Sequence, residues 1–301
     1  MAALASALML ALHGLAFAPH YRLVGHHGMV TNGRYTVLWS GRRIEVGTLI
    51  DEQTGRRIRV ILPGGCRSGG TFSPVLGSSW LLAECGHRRV DLYSLSSDEW
   101  RGMTLPGTCR NEESRAGGCV PLAVGTDWIE YDKERSARLG DRFIFQKLDT
   151  GALRGNPTGP RTLPDLDSPV LAQPVCAPLR VPRHGTLTFD GRYAVAAGAT
   201  GTFIERCGSR LHLPVPFLTV ATGPGAIVWL PSPTSAVSGV FLPSLRRFKI
   251  APPPGDAYAV DVEVSLRHIY ITMAPRASGI DVWSAPAPRP QAPVSRSVSD
   301  G

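Results

Sequence analysis

Three histidines, His20, His26 and His27, follow the apolar start of the chain at a spacing that suits metal chemistry. Imidazoles so placed on a loop can hold zinc or copper if His87 or His184 folds beside them. The simpler reading is a solvated segment. A second set, Asp127, Glu130, Asp132 and Glu134, surrounds Trp128 and Tyr131. Oxygen ligands beside aromatic faces suit calcium or a sugar. Lys133 and Arg135 interrupt the run, which favours a solvated strand and turn with weak salt bridges. The chain holds no Gly-x-Ser-x-Gly elbow, phosphate-binding glycine loop, dinucleotide fingerprint or His-Glu-x-x-His motif. No catalytic residue, cofactor or metal site is therefore expected.

The charge points to a different kind of chemistry. The formal balance is +8, and lysine occurs only at Lys133, Lys147 and Lys249, so arginine supplies nearly all the positive charge. Arginines come in pairs at 42–43, 56–57, 88–89 and 246–247. If Arg43, Arg57, Arg89 and Arg247 share a face, they form a basic surface for a phosphate or carboxylate polymer. Glu45, Asp91, Asp98 and Glu99 lie close by and offset part of that field. No interleaved basic and aromatic motif of a nucleic-acid binder is present, so nucleic acid is not an expected partner.

The ends and the cysteines bear on the compartment. Residues 1–18 carry no charged side chain and finish in Ala16-Phe17-Ala18, the form of a secretory signal peptide cut after a small-x-small pattern. A retained membrane anchor is the alternative, at the lower limit of length for a bilayer. The six cysteines, Cys66, Cys85, Cys109, Cys119, Cys176 and Cys207, show no Cys-x-x-Cys spacing. Their even number fits disulfides in an extracytoplasmic protein. Fifteen pairings are open; pairing of sequence neighbours is favoured, each bond adding about 2 to 4 kcal/mol. Residues 287–301, rich in proline and serine, form an expected disordered tail.

What must position these residues is a recurring β unit. Arg43-Ile44-Glu45-Val46-Gly47-Thr48-Leu49 returns as Arg89-Val90-Asp91-Leu92-Tyr93-Ser94-Leu95. It returns more loosely as Arg142 to Leu148 and as Gly279 to Ala285. The first two copies lie 46 residues apart (49 to 95), and the last gap, from 148 to 285, holds about three such periods. Diverged copies at Gly201–Arg206 and Ser238–Leu242 fill it. Asn32-Gly33 and Asp190-Gly191 launch similar strands and are hairpin-turn dipeptides. Glycine at 33 residues and proline at 26 leave little room for long helices.

Short β units at this period predict an all-β chain folded as a single β-propeller over residues 29–286. The count is about six four-stranded blades, with five or seven open because Leu163 to His184 can hide a diverged copy. Trp39, Trp80, Trp100, Trp128, Trp229 and Trp283 fall about once per blade, as packing between blades requires. Glu45, Asp91 and Asp281 match across copies and suit repeated structural hydrogen bonds.

With their Thr-Gly and Ser-x-Asp turns, the units at Arg43–Leu49, Arg89–Leu95 and Arg142–Leu148 resemble the blades of extracytoplasmic β-propellers of the TolB-like and related repeat classes. The Trp-Asp ending of intracellular WD40 repeats is missing, as are quinone-cofactor and sialidase patterns. The resemblance implies a secreted or surface-tethered monomer acting as a binding platform for a protein or an anionic polymer at the cell surface. The alternative is a propeller hydrolase or lyase acting on a carbohydrate or lactone at the central channel.

Overall fold

The computed structural model describes residues 15–289 except 27, 40–45, 64–73, 85–88, 106–118, 134–142, 157–184, 188–193, 199–200, 207–208, 214–218, 243, 256 and 275–278. No helix occurs among the described residues. Among the described residues β1 (Leu15–Phe17) and β2 (Arg22–Gly25) come first, and the strands form six sheets. The first holds β3 (Gly28–Thr31), β4 (Tyr35–Trp39), β5 (Val46–Asp51) and β6 (Arg57–Ile61). The second holds β7 (Val75–Leu76), β8 (Trp80–Glu84), β9 (Arg89–Ser94) and β10 (Trp100–Thr104). In the third are β11 (Cys119–Val124), β12 (Trp128–Lys133), β13 (Phe143–Lys147) and β14 (Leu153–Asn156). β15 (Gly185–Leu187), β16 (Ala194–Gly198), β17 (Gly201–Arg206) and β18 (Ser209–Leu213) make the fourth. The fifth contains β19 (Thr219–Gly223), β20 (Ala226–Leu230), β21 (Val237–Phe241) and β22 (Arg247–Ile250), with β1 added outside β22. β23 (Tyr258–Val264), β24 (His268–Ala274) and β25 (Asp281–Pro286) form the sixth, which borrows β2 as its fourth strand.

Burial explains why each strand takes its place. β20 is buried throughout because neighbours cover both its faces, and its sequence, Ala-Ile-Val-Trp-Leu, is accordingly unbroken apolar. Outer strands such as β6 and β22 face solvent on one side and alternate instead, as Arg-Ile-Arg-Val-Ile and Arg-Phe-Lys-Ile. The first strands of neighbouring sheets touch: β3 meets β7, β7 meets β11, β19 meets β23, and β23 meets β3. Sheets joined through their first strands, with the last returning to the first, stand radially around an axis. The fold is a β-propeller.

Apolar clusters fill the gaps between sheets. One joins the fifth and sixth sheets around Leu230, Phe241, Phe248, Val262 and Ile271, another joins the second and third around Leu82, Leu92 and Tyr131. Near the axis the packing is close enough to demand glycine: a Cβ on Gly77 would lie 2.0 Å from the Val124 carbonyl oxygen of the next sheet. The hairpins between third and fourth strands of the first, second, third and fifth sheets share one form. In each, the fifth residue returns its N–H to the first, as Gly55 to Asp51, Asp98 to Ser94, Gly151 to Lys147 and Leu245 to Phe241. That fifth residue has positive φ in all four, which Gly55 and Gly151 supply at no steric cost.

All six copies read in the sequence overlap or match the third strand of a sheet. Their register differs from the sequence alignment. Leu49 pairs with Val37 and Leu92 with Leu82, and Val37 and Leu82 occupy the same place in their strands. Leu49 is thus the counterpart of Leu92, three residues before Leu95. Third strands buried on both faces, as β9 is from Val90 to Ser94, carry little information against sliding, and the hairpin bonds fix the match. Leu163 to His184 lies outside the described residues.

Candidate functional site

Four side chains that the sequence motifs do not single out meet where the sixth sheet closes on the first. Glu52 follows β5 directly and is fully buried. Its Oε1 accepts from the Thr36 hydroxyl at 2.8 Å and the Tyr270 hydroxyl at 2.5 Å. Its Oε2 lies 2.8 Å from His268 Nδ1. His268 and Tyr270 alternate on β24, so one strand face presents both rings to the neighbouring sheet. An ionised carboxylate only accepts, so Nδ1 donates to it, while the far edge of the ring reaches the surface, with one third of the side chain exposed. Burial works to raise the Glu52 carboxyl. The bonds from His268, Tyr270 and Thr36 overcome that push and hold it below its ordinary range. Tyr270 is driven upward, by burial first and then by the Glu52 charge, and remains a donor. Backbone contacts sew the same seam: Leu266 N–H donates to the Gly33 carbonyl at 2.8 Å, and Arg267 Nη2 to that of Gln53 at 2.6 Å.

Comparison with the other sheets shows how unusual these residues are. In five of the sheets the residue after the third strand donates its N–H back to the first hairpin: Glu52 to Arg34, Leu95 to Ser79, Leu148 to Asp127, Leu242 to Gly225 and Ala287 to Arg267. Leucine occupies that place in the second, third and fifth sheets. Leu95 packs with Leu81 of its own sheet and with Tyr35 and Val37 of the preceding one. Leu148 packs with Ile129, and with Trp80 and Leu82 before it. At the closing seam these four places hold Glu52, Thr36, His268 and Tyr270.

A second group lies on the innermost strand of the sixth sheet. Asp261 accepts from the Thr219 hydroxyl of the fifth sheet at 2.8 Å and from the Val262 N–H at 2.9 Å. Burial raises its carboxyl despite those bonds. Glu263, two residues on, is pushed up to about 8, chiefly by burial and then by the Asp261 charge. A neutral carboxyl beside a charged one is suited to general acid chemistry.

Of the arginines expected on one face, Arg57 and Arg247 stand at equivalent places, each opening a fourth strand just after its hairpin. Arg89 opens a third strand at the opposite end of its sheet, and its guanidinium holds the buried Asp91 at 2.6 Å. Arg43 lies outside the described residues. The hairpin-bearing face also exposes Arg34, Arg56, Arg246 and Arg267. On that face Asp98 is bound to Arg56 at 2.8 Å and Asp149 to Lys147 at 3.2 Å. Asp51 accepts from the Gln53 and Thr54 N–H groups of its own turn.

His26 Nδ1 lies 2.8 Å from Asp281 Oδ1, His20 is exposed, and His27, His87 and His184 fall outside the described residues. Among the described residues no three His, Cys, Asp or Glu side chains gather into a metal site. Asp127 is exposed, but Glu130 is buried between strands, contrary to the solvated strand expected there. Its position on β12 faces the packed side of the sheet, where Val37 and Leu82 lie in the first two sheets. Cys119 begins β11; Cys66, Cys85, Cys109, Cys176 and Cys207 lie outside the described residues. Trp39 and Trp229 are buried in the core. No helix of the described residues is long and apolar enough to cross a membrane.

No family model and no curated protein matches the chain. Among solved structures, it is similar to an oligogalacturonate lyase from Vibrio parahaemolyticus, at 10% identity and a TM-score of 0.49 over 92% of this chain and 99% of that one. A chain of the mitotic checkpoint complex gives 0.47 at 11% identity, over 90% and 92%. The WD40 domain of Pan2 from Neurospora crassa gives 0.39 at 9%, over 92% and 98%.

Proposed function

We propose that the chain is a non-catalytic binding platform of the extracytoplasmic space, taking an acidic protein surface or an anionic polymer on its hairpin-bearing face. The observation that carries this reading is the set of exposed arginines on those hairpins, Arg34, Arg56, Arg57, Arg246, Arg247 and Arg267. Of the acids on the same turns, Asp51 is held by its own turn, Asp98 by Arg56 and Asp149 by Lys147, while Glu99 and Asp127 are exposed among the arginines. Clustered arginines on a rigid ring steer anions and fix their approach. The uncharged leader-like start and the even cysteine count support the compartment.

Retention on a sulfated polysaccharide column and on an immobilised acidic protein, read against salt, tests the proposal. The expected result is elution at clearly lower salt for the Arg57→Ser, Arg247→Ser, Arg267→Ser triple variant. Unchanged elution on both supports would refute it.

A second reading, a hydrolase or lyase acting on a carbohydrate or lactone, draws support from Asp261 and Glu263 beside the axis. It expects turnover of an oligosaccharide or lactone panel that Glu263→Gln abolishes while the β circular dichroism is kept. No turnover by the unaltered chain across such a panel removes this alternative.

A further inference from the structure

β1 is joined to the molecule differently from every other described strand. Its pairing with β22 is the only parallel one among them, with Leu15 opposite Phe248, Ala16 opposite Lys249 and Phe17 opposite Ile250. The Ala251 N–H donates to the Phe17 carbonyl at 2.9 Å, and the Tyr21 hydroxyl donates to the Ala251 carbonyl. The half-buried Phe17 ring meets Phe241 edge-on at 6.2 Å and Phe248 at 6.0 Å, while those two rings lie 4.5 Å apart. Main-chain bonds along a sheet edge, with one side chain in an aromatic pocket, are the two elements of strand-addition recognition.

We propose that the outer edge of β22, with Phe241 and Phe248, is an acceptor site for an extended peptide strand, which the chain's own Leu15–Phe17 fills. The Ala16-Phe17-Ala18 pattern places a leader cut after Ala18, just beyond β1. Such a cut removes the covalent tie between β1 and the sheet. It leaves an unpaired edge and an open aromatic pocket on the mature chain. The occupant of the emptied site is an extended partner segment lying parallel to β22, with an aromatic side chain where Phe17 sits and a small residue before it. The exposed Arg247 and Lys249 of β22 favour uncharged or acidic flanks over basic ones. This site lies on the rim and does not depend on the hairpin-face reading.

The test uses a labelled peptide of residues 13–18, His-Gly-Leu-Ala-Phe-Ala, and fluorescence anisotropy. A chain beginning at Pro19 is expected to bind it one to one, whereas the full chain is not. Replacing the peptide's Phe17 by Ala, or Phe248→Ala in the protein, should weaken binding by about ten-fold, as loss of an aromatic pair and its buried area implies. If the shortened chain fails to fold, a protease site is inserted between Ala18 and Pro19 and the folded full chain is cut. The cut body, once separated from its fragment, should then bind labelled peptide, which the uncut chain does not. The proposal is overturned if a folded shortened chain ignores the peptide, or if the full chain binds equally well. It is also overturned if the Ala peptide binds as tightly, or if the cut fragment departs without rebinding.

Discussion

The seam between the sixth and first sheets and the seams on either side of the second sheet have the same geometry and opposite chemistry. At the first–second and second–third seams a leucine, Leu95 or Leu148, enters an apolar socket. At the closing seam the same place holds Glu52, bound to Thr36, Tyr270 and His268. The difference follows from connectivity. Neighbouring sheets elsewhere are consecutive in the chain, so their connecting segments keep them adjacent and packing needs only to be tight. The sixth sheet must find the first across the whole length of the chain, with β2 carried over to complete it. Leucine tolerates a shifted neighbour, whereas a carboxylate with three fixed donors accepts one register and penalises the rest.

The comparison breaks most severely if the polar residue is moved. Leu95→Glu places a carboxylate beside Val37 and Leu81, which stand where Tyr270 and Thr36 serve Glu52 and have nothing to donate. A buried unpaired charge of this sort costs more than about 4 kcal/mol. Urea unfolding should therefore show a chain that is unfolded or nearly so without denaturant. A stable Leu95→Glu variant would mean that the socket is open to water and that Glu52 is not special.

The reverse exchange is the next largest. Glu52→Leu restores the residue of the other seams but leaves the Tyr270 hydroxyl buried without its acceptor and Thr36 with Thr31 alone, at a cost of about 3 kcal/mol. The expected midpoint shift is large, and Glu52→Gln, which keeps one carbonyl acceptor, should lose less. Equal losses for both variants would show that volume rather than hydrogen bonding sets the effect.

These residues were hidden from the sequence for a definite reason. The third strands were legible because their short apolar runs recur, and every recurrent segment proved to belong to one. The offset between copies was not legible, since matching Leu49 to Leu95 gives as good a pattern as the true match of Glu52 to Leu95. That shift placed Glu52 in an unremarkable turn, Asp51-Glu52-Gln53-Thr54-Gly55, where a glutamate passes as solvated. A signal was present: the sequence after the third strand reads Leu95-Ser96-Ser97-Asp98 and Leu148-Asp149-Thr150-Gly151. Aligning on Thr54-Gly55 and Thr150-Gly151 puts Glu52 on a leucine. His268 and Tyr270 carry no such marker, because nothing local tells which distant sheet they will face.

Replacing the whole set tests specificity apart from stability. Glu52→Leu, Thr36→Ile, Tyr270→Val and His268→Tyr together reproduce the apolar seam. Exchange of a buried ionic network for well-packed apolar groups is commonly neutral, so stability near pH 7 should fall within about 1 kcal/mol of the unaltered chain. Refolding should suffer instead, with slower or less complete recovery, because register at the closure is no longer enforced. The two chains should also part company in acid. Glu52 is held below its ordinary value of 4.5 in the fold, so its contribution is full above that value and is lost as pH falls through the lower folded value. The fourfold variant lacks this component, and its stability should decline less between about pH 5 and about pH 3. Parallel acid profiles would show that Glu52 is not the ionised acceptor.

The smallest effect belongs to a bond that resembles the closing seam on paper. Asp98 also bridges two sheets, accepting from Arg56 of the first sheet at 2.8 Å and from Tyr93 of its own at 3.1 Å. Tyr93 is raised to about 12, by burial first and then by its bond to Asp98, so it remains a donor. Asp98 and Arg56 are open to water, with side chains 34% and 63% exposed, where the fully buried Glu52 is not. Water and salt therefore compensate the loss of either partner, and Arg56→Ala should change stability by no more than about 0.5 kcal/mol. Thermal melts at low and high salt measure this directly. A loss comparable to that of Glu52→Leu would shift the explanation of the closing seam from burial to the mere presence of a charged bridge, because the two carboxylates join neighbouring sheets in the same way and differ chiefly in their access to water.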